Sequence, residues 1–138
     1  MTISSELSEI LQLRLSPSYQ AAEAIRQSIG AEAMASSPTS TAPYGALRLM
    51  VGTWETIAIR VRSNDALKVP FYQTNPVGFM WDKLLPGMKV VRAEFNVRAA
   101  SLYAHEFELL NRAYRKWLKG LPASYRTAAL QGVNAQFG

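Results

Sequence analysis

The chain has 138 residues, enough for one domain, and its 49% hydrophobic and 18% charged content indicates a globular protein. The absence of cysteine excludes disulfides, thiolate metal sites and a cysteine nucleophile. Because His105 is the only histidine, any metal site would have to consist mainly of carboxylates. Composition alone therefore removes most classes of enzyme.

The net charge of +5 is unevenly distributed along the chain. Residues 1–40 contain four glutamates and two arginines, a net charge of −2, whereas residues 41–138 contain 13 basic and six acidic side chains, a net charge of +7. Residues 36–43 combine two prolines with small polar residues, which predicts a linker at the same boundary. We therefore expect an N-terminal helical arm over 1–36 and a helical bundle core over 44–132, within a single domain overall.

Two helices are predicted before the linker. Apolar residues recur every three to four positions between Ser4 and Leu15, which is typical of an amphipathic helix. Ser16 and Pro17 then form a start signal, because serine caps a helix and proline suits its first turn. The second helix is predicted to continue to about Met34.

The strongest periodic pattern lies between residues 44 and 63. Eight apolar residues at helical spacing form one wide stripe: Tyr44, Leu47, Met50, Val51, Trp54, Ile57, Ala58 and Val61. Leu49 and Ile59 add apolar character elsewhere, so we expect a central helix covered on several sides. Gly45 and Gly52 lie seven residues apart on one side, where they would let another backbone approach closely.

Prolines divide the next part of the chain. Pro70 is expected to limit any helix after residue 65 to about one turn. Pro76 is expected to start a short helix ending at Leu85, and Pro86 to start a further segment.

Apolar positions then continue from Met88 to Trp117. They predict one long helix, or alternatively two helices broken near Asn96 or Arg98, and a last short helix over 123–130. With no period-two alternation along the chain, the fold class expected is all-α: a small helical bundle of five or six helices with a long C-terminal helix.

Three short segments carry a family resemblance. They are Leu49-Met50-Val51-Gly52-Thr53-Trp54-Glu55-Thr56-Ile57-Ala58, then Phe79-Met80-Trp81-Asp82-Lys83-Leu84-Leu85-Pro86 followed by Arg92, and finally Phe107-Glu108-Leu109-Leu110 with Arg112 and Trp117. Through them, residues 44–119 resemble the family called domain of unknown function 4760, which is found in many bacterial proteins. The resemblance implies an all-helical fold and a bacterial or phage origin, and it brings no catalytic motif. Many members carry an N-terminal membrane span, from which this chain departs.

Basic residues form a candidate binding face near the C-terminus: Arg112, Arg115, Lys116, Lys119 and Arg126. Tyr114 and Trp117 interleave with them, a combination typical of nucleic-acid binding, in which cations neutralise phosphates and aromatic rings stack on bases. The alternative is a solvated basic face, because both aromatic residues continue the apolar stripe and would then face the core.

Glu55 is the only acidic residue in the central predicted helix. A buried carboxylate must find a donor or stay protonated, and Arg92 or Arg98 is the expected partner. We interpret the pair as structural; the functional alternative is a general base in a helical cleft.

His105 and Glu108 share one helical face and supply only two metal ligands, beside the repelling charge of Arg112. We therefore predict no metal and no cofactor.

No membrane span or signal peptide is predicted, so a cytoplasmic location is expected. The expected function is non-enzymatic protein–protein interaction with a second copy as partner, because a small domain cannot cover an aromatic helix about 45 Å long. The alternative is nucleic-acid binding through the basic face, or inhibition of a nucleic-acid enzyme. An enzyme using Glu55 or His105 is a third hypothesis.

Overall fold

The computed structural model describes residues 2–126, with residues 97, 98 and 101 described by their backbone alone. Eight α-helices and no strand occur in this range, so the all-α prediction is confirmed. The helices are α1 (Ile3–Leu15), α2 (Pro17–Ile29), α3 (Ala31–Ser36), α4 (Ala42–Arg62), α5 (Asp65–Thr74), α6 (Val77–Ala93), α7 (Val97–Leu102) and α8 (His105–Lys119). None of these eight helices is long and apolar enough to cross a membrane.

The predicted count of five or six helices is too low, and one reason lies at Gly30. The start of α2 is as expected, since Ser16 Oγ accepts a hydrogen bond from the Tyr19 N–H at 3.2 Å and Pro17 is the first helical residue. The helix then ends at Ile29, because Gly30 has a φ of 83°, a left-handed value that glycine adopts without steric cost. The predicted second helix is therefore two helices, α2 and α3.

The predicted long C-terminal helix is wrong. The chain leaves helical geometry after Ala93 and again after Leu102, so that α6, α7 and α8 are separate. The first break falls near Asn96, one of the two positions expected in the alternative, and Asn96 Oδ1 caps α7 by accepting from the Ala99 N–H at 2.9 Å. The second break passes through Ala104 in the left-handed conformation, with a φ of 59°. Of the predicted last helix, residues 123–126 are helical and the others lie outside the described residues.

Pro70 and Pro86 lie inside helices, contrary to the breaks expected at both. A proline in a helix removes one backbone hydrogen bond and crowds the preceding turn. In α6 the apolar stripe nevertheless continues across the proline, with Leu84 and Met88 both fully buried. Burial of these side chains offsets the lost hydrogen bond, so tertiary packing overrides the local signal.

The central helix is predicted correctly. All eight residues of its apolar stripe are buried, and α4 contacts α1, α2, α3, α5, α6 and α8. Its outward side is not covered, because Leu49 and Ile59 are 40% and 50% exposed. One side of α4 is thus buried in the core, and the other side is exposed to solvent.

The N-terminal helices contribute to the same core as α4. Ile10, Tyr19 and Met34 are buried in one cluster with the residues of α4. Trp54 Nε1 donates a hydrogen bond of 2.9 Å to the Tyr19 hydroxyl, and the Arg14 guanidinium lies 5.0 Å from the Trp54 ring centre. The arm and the bundle are therefore joined through Trp54.

Helices α3 and α6 approach most closely at Gly87. A Cβ atom at this position would lie 2.6 Å from the Ala31 carbonyl oxygen and 2.9 Å from Leu47 Cδ2. A carbonyl oxygen of the backbone cannot move aside as a flexible side chain can. In contrast, a Cβ at Gly45 would meet no atom within 4 Å.

We predict that Gly87→Ala lowers the free energy of unfolding by about 1–3 kcal/mol, the usual cost of overpacking a core. The matched control is Gly45→Ala, which should raise it by up to about 1 kcal/mol, because alanine is the better helix former. Urea unfolding at low protein concentration checks both. Stabilisation by both substitutions would contradict the close crossing of α3 and α6.

Candidate functional site

The predicted basic residues do share one side of α8. Arg112, Arg115, Lys116 and Lys119 are exposed, whereas Phe107, Leu110 and Tyr114 on the opposite side are buried. This division follows from the helical period, which places residues three and four apart on the same face. Arg126 follows α8 and is half-buried.

Two of the four exposed cations are paired with carboxylates. Arg112 contacts Glu108 Oε2 at 3.0 Å, one turn earlier in α8. Arg115 contacts Asp82 Oδ1 of α6 at 2.7 Å. Lys116 and Lys119 form no ion pair within residues 2–126, so the unneutralised charge on this face is that of the two lysines.

The interleaved aromatic residues do not form a platform for bases. Tyr114 is 5% exposed and packs edge-on against Tyr72, with 5.8 Å between ring centres. Trp117 is half-buried, with its ring centre 5.5 Å from that of Tyr72. Both rings therefore belong to the packing of α8 on α5, and the basic face carries charge without stacking groups.

Glu55 lies beside the first turn of α8. Its Oε1 accepts hydrogen bonds from the backbone N–H groups of Glu106 and Phe107, the latter at 3.2 Å. Helix α8 has no side-chain cap of its own, since the residue before it is Ala104. Glu55 therefore supplies, from another helix, the carboxylate that a helix N-terminus favours.

Arg92 does not pair with Glu55 as expected. Its guanidinium donates to the Tyr103 carbonyl oxygen at 2.8 Å and lies 3.4 Å from Glu108 Oε1. The side chain of Arg98, the other expected partner, lies outside the described part of the chain. Glu55 and Arg92 thus act at the same break between α7 and α8, each on a backbone group.

The environment of Glu55 favours its protonated form. Burial raises the pKa of Glu55, and the two N–H donors only partly offset this effect. Glu106 also raises this pKa, while His105 lowers it. The second oxygen, Oε2, is buried and has no hydrogen-bond partner among the described residues. The carboxyl group is thus held by the fold and enclosed.

The structure brings together no metal site in the part of the chain that it describes. No three His, Asp or Glu side chains of residues 2–126 lie close enough to hold an ion. His105 is exposed at the first position of α8, and Glu108 is already bound by Arg92 and Arg112.

One groove is open to solvent and lies between the α2–α3 turn and α6. It has a volume of about 550 Å³ and is lined by residues that include Arg26, Ile29, Glu32, Asp82 and Pro86. Its mixed lining and the lack of convergent polar groups give it no chemistry beyond that of an ordinary surface.

A second exposed surface was not identified from the sequence. We call it the outer seam of α4 and define it by Gly45, Leu49, Gly52, Thr56, Ile59 and the C-cap Ser63, all of which are exposed. An adjoining groove of about 340 Å³ is lined by Leu13, Arg48, Leu49, Gly52, Thr53 and Thr56. The sequence does contain a signal for this surface. The residues of α4 that are not part of the buried stripe include a second series spaced by three and four residues.

The charged residues of α4 lie beside the outer seam and are bound within the chain. Arg60 contacts Glu6 at 3.1 Å and Glu9 at 2.7 Å. Arg62 pairs with Glu106. Arg48 donates to the Tyr44 hydroxyl at 3.0 Å. The seam itself therefore runs from residue 45 to residue 63 without a charge.

No protein family, curated protein or solved structure matches the chain.

We predict that Glu55 makes stability depend on pH. A carboxyl group whose pKa is raised in the folded state binds more protons when folded, so its contribution to stability is complete below the unfolded-state pKa and is lost as the pH rises through the folded-state pKa. Glu55→Gln keeps the acceptor oxygen and removes this titration. The stability of the natural chain relative to Glu55→Gln should therefore fall as the pH is raised from the ordinary glutamate pKa of about 4.3 through the higher folded-state pKa.

The capping role is tested by Glu55→Ala, which leaves two N–H groups of α8 without an acceptor and should cost about 1–2 kcal/mol, with the largest cost at low pH, where the contribution of Glu55 is complete. Chemical unfolding across that pH range measures both variants. A Gln variant with the same pH profile as the natural chain would contradict the assignment.

Proposed function

We propose that this protein is a non-enzymatic helical interaction module that associates with a second copy of itself through the outer seam of α4. The observation that carries the proposal is the exposure of Leu49 and Ile59 on an uncharged stripe of the central helix. Burying a fully exposed side chain of this kind contributes about 1.5–3 kcal/mol, so covering the exposed part of Leu49 or Ile59 contributes about 1 kcal/mol each and is favourable.

The glycines of the seam support the same conclusion. Each glycine in a helix costs about 1 kcal/mol relative to alanine. At Gly78 and Gly87 neighbouring atoms occupy the space of a Cβ, which accounts for the glycine. At Gly45 and Gly52 a Cβ would meet no atom within 4 Å. A second helix lying over these two positions would account for them in the same way.

The polar candidates support a non-enzymatic role. Glu55 holds the N-terminus of α8, and Arg92 holds the carbonyl group that precedes it. Both side chains are half-buried and engaged with the backbone at a helix break, where a folding role explains their position. This leaves surface contact as the function that the geometry favours.

We predict that Leu49→Asp and Ile59→Asp each abolish self-association, because a carboxylate would be buried without a partner in the interface. The matched control is Val69→Asp on α5, which is 44% exposed and lies away from the seam. Sedimentation equilibrium over a wide concentration range measures the result. A natural chain that stays monomeric at every concentration would overturn the proposal.

A second candidate function is nucleic-acid binding by α8, favoured by the exposed Lys116 and Lys119. We predict that Lys116→Glu with Lys119→Glu abolishes this binding, whereas Asp82→Ala strengthens it by freeing Arg115. Fluorescence anisotropy with a labelled oligonucleotide at several salt concentrations measures both, since phosphate contacts weaken steeply with salt. No binding at low salt would rule this function out.

A further inference from the structure

We infer that the two copies pair with their α4 helices antiparallel, about a two-fold axis that passes near residue 54. The inference rests on the proposed self-association and adds its geometry. It is carried by the order of residue sizes along the outer seam and by the position of the neighbouring α1.

The outer seam has the spacing of a coiled-coil interface. Its six positions are separated by four, three, four, three and four residues. This is a heptad repeat in which Leu49, Thr56 and Ser63 take one interface position and Gly45, Gly52 and Ile59 take the other. The core side of α4 follows its own stripe, so the helix carries a second, independent stripe on its exposed side.

The order of residue sizes along the outer seam is the same from either end of α4. Its residues are small, large, small, small, large and small, and the spacing is also symmetric about residue 54. Antiparallel pairing therefore sets Leu49 against Ile59 of the second copy, Gly52 against Thr56, and Gly45 against Ser63. Two-fold dimers require a surface that is complementary to itself, and this seam meets the requirement in each layer.

Helix α1 favours the antiparallel arrangement over the parallel one. Leu13 of α1 lines the groove beside Gly52, Thr53 and Thr56, on one flank of the seam and level with its centre. A two-fold axis across antiparallel helices brings equal flanks together, so the two Leu13 side chains meet. Parallel pairing would instead face Leu13 with the opposite flank of the seam and keep the two Leu13 side chains apart.

The length of the seam sets the strength expected of the dimer. Residues 45–63 span about 27 Å of helix, and a helix about 10 Å wide gives a footprint near 270 Å² per copy. Stable complexes bury about 800 Å² per partner. Even with Leu13 added, the interface belongs to the weak class, so the dimer should dissociate on dilution.

Cysteine cross-linking tests the arrangement, because the chain contains no cysteine of its own. Leu49→Cys and Ile59→Cys are prepared as separate chains, distinguishable by mass, and oxidised alone and mixed. Antiparallel pairing predicts a disulfide only in the mixture. In an antiparallel dimer of one variant, the two cysteines are offset by ten residues along the helix, about 15 Å. A disulfide requires Cα atoms within about 7 Å, so neither variant should cross-link by itself. The control is Val69→Cys, which should form no disulfide with either chain.

The outcomes separate the inference from the proposal on which it rests. A disulfide in either seam variant alone shows parallel pairing and overturns the inference. A natural chain that dimerises in sedimentation, with no disulfide in the mixture, also overturns the antiparallel register and leaves self-association standing. A natural chain that remains monomeric overturns both.

Discussion

The fold depends on the surroundings of Trp54. The ring stacks on Phe107 of α8 with 5.3 Å between centres, the Arg14 guanidinium of α1 lies 5.0 Å from it, and its N–H donates to Tyr19 of α2. A buried indole N–H without a partner would cost about 1–3 kcal/mol, so Tyr19 is held in place as firmly as Trp54 itself. One side chain of α4 thus brings together helices from both ends of the chain, although the charge pattern and the linker had suggested a separable arm.

The same constraint explains which helices the sequence could predict. The core side of α4 follows from the apolar period alone, because every residue of that stripe faces the same way. The division of the C-terminal part into α6, α7 and α8 cannot be predicted in this way, because the apolar period continues through residues 93–105, where the backbone turns. There the backbone bends so that Phe107 reaches Trp54, while Phe95 and Tyr103 pack around the Arg48 side chain at 5.7 and 5.2 Å. Only the packed core reveals these requirements, which lie far from the break in sequence.

Glu55 and Arg92 both bind backbone groups that the break between α7 and α8 leaves without helical partners. Separating α7 from α8 leaves a carbonyl group at the end of one helix and N–H groups at the start of the next without helical partners. Arg92 binds the Tyr103 carbonyl, and Glu55 binds the N–H groups of Glu106 and Phe107. Sequence reasoning could single out both residues as charged groups of the bundle, although it expected them to be buried and both are half-buried. It paired them with each other because backbone partners at an unforeseen helix end cannot be read from side-chain types.

The ion pairs show which basic residues the acidic arm neutralises. Three of the four glutamates of the arm pair with Arg26 or Arg60, and the acids that pair with the basic face are Asp82 and Glu108 of the bundle. The arm therefore does not neutralise α8 within the chain. Its glutamates instead hold Arg60 at the edge of the outer seam, which keeps a cation from an otherwise uncharged surface. The ion pairs of the arm therefore leave the outer seam uncharged, which is the property that the proposed self-association through α4 requires.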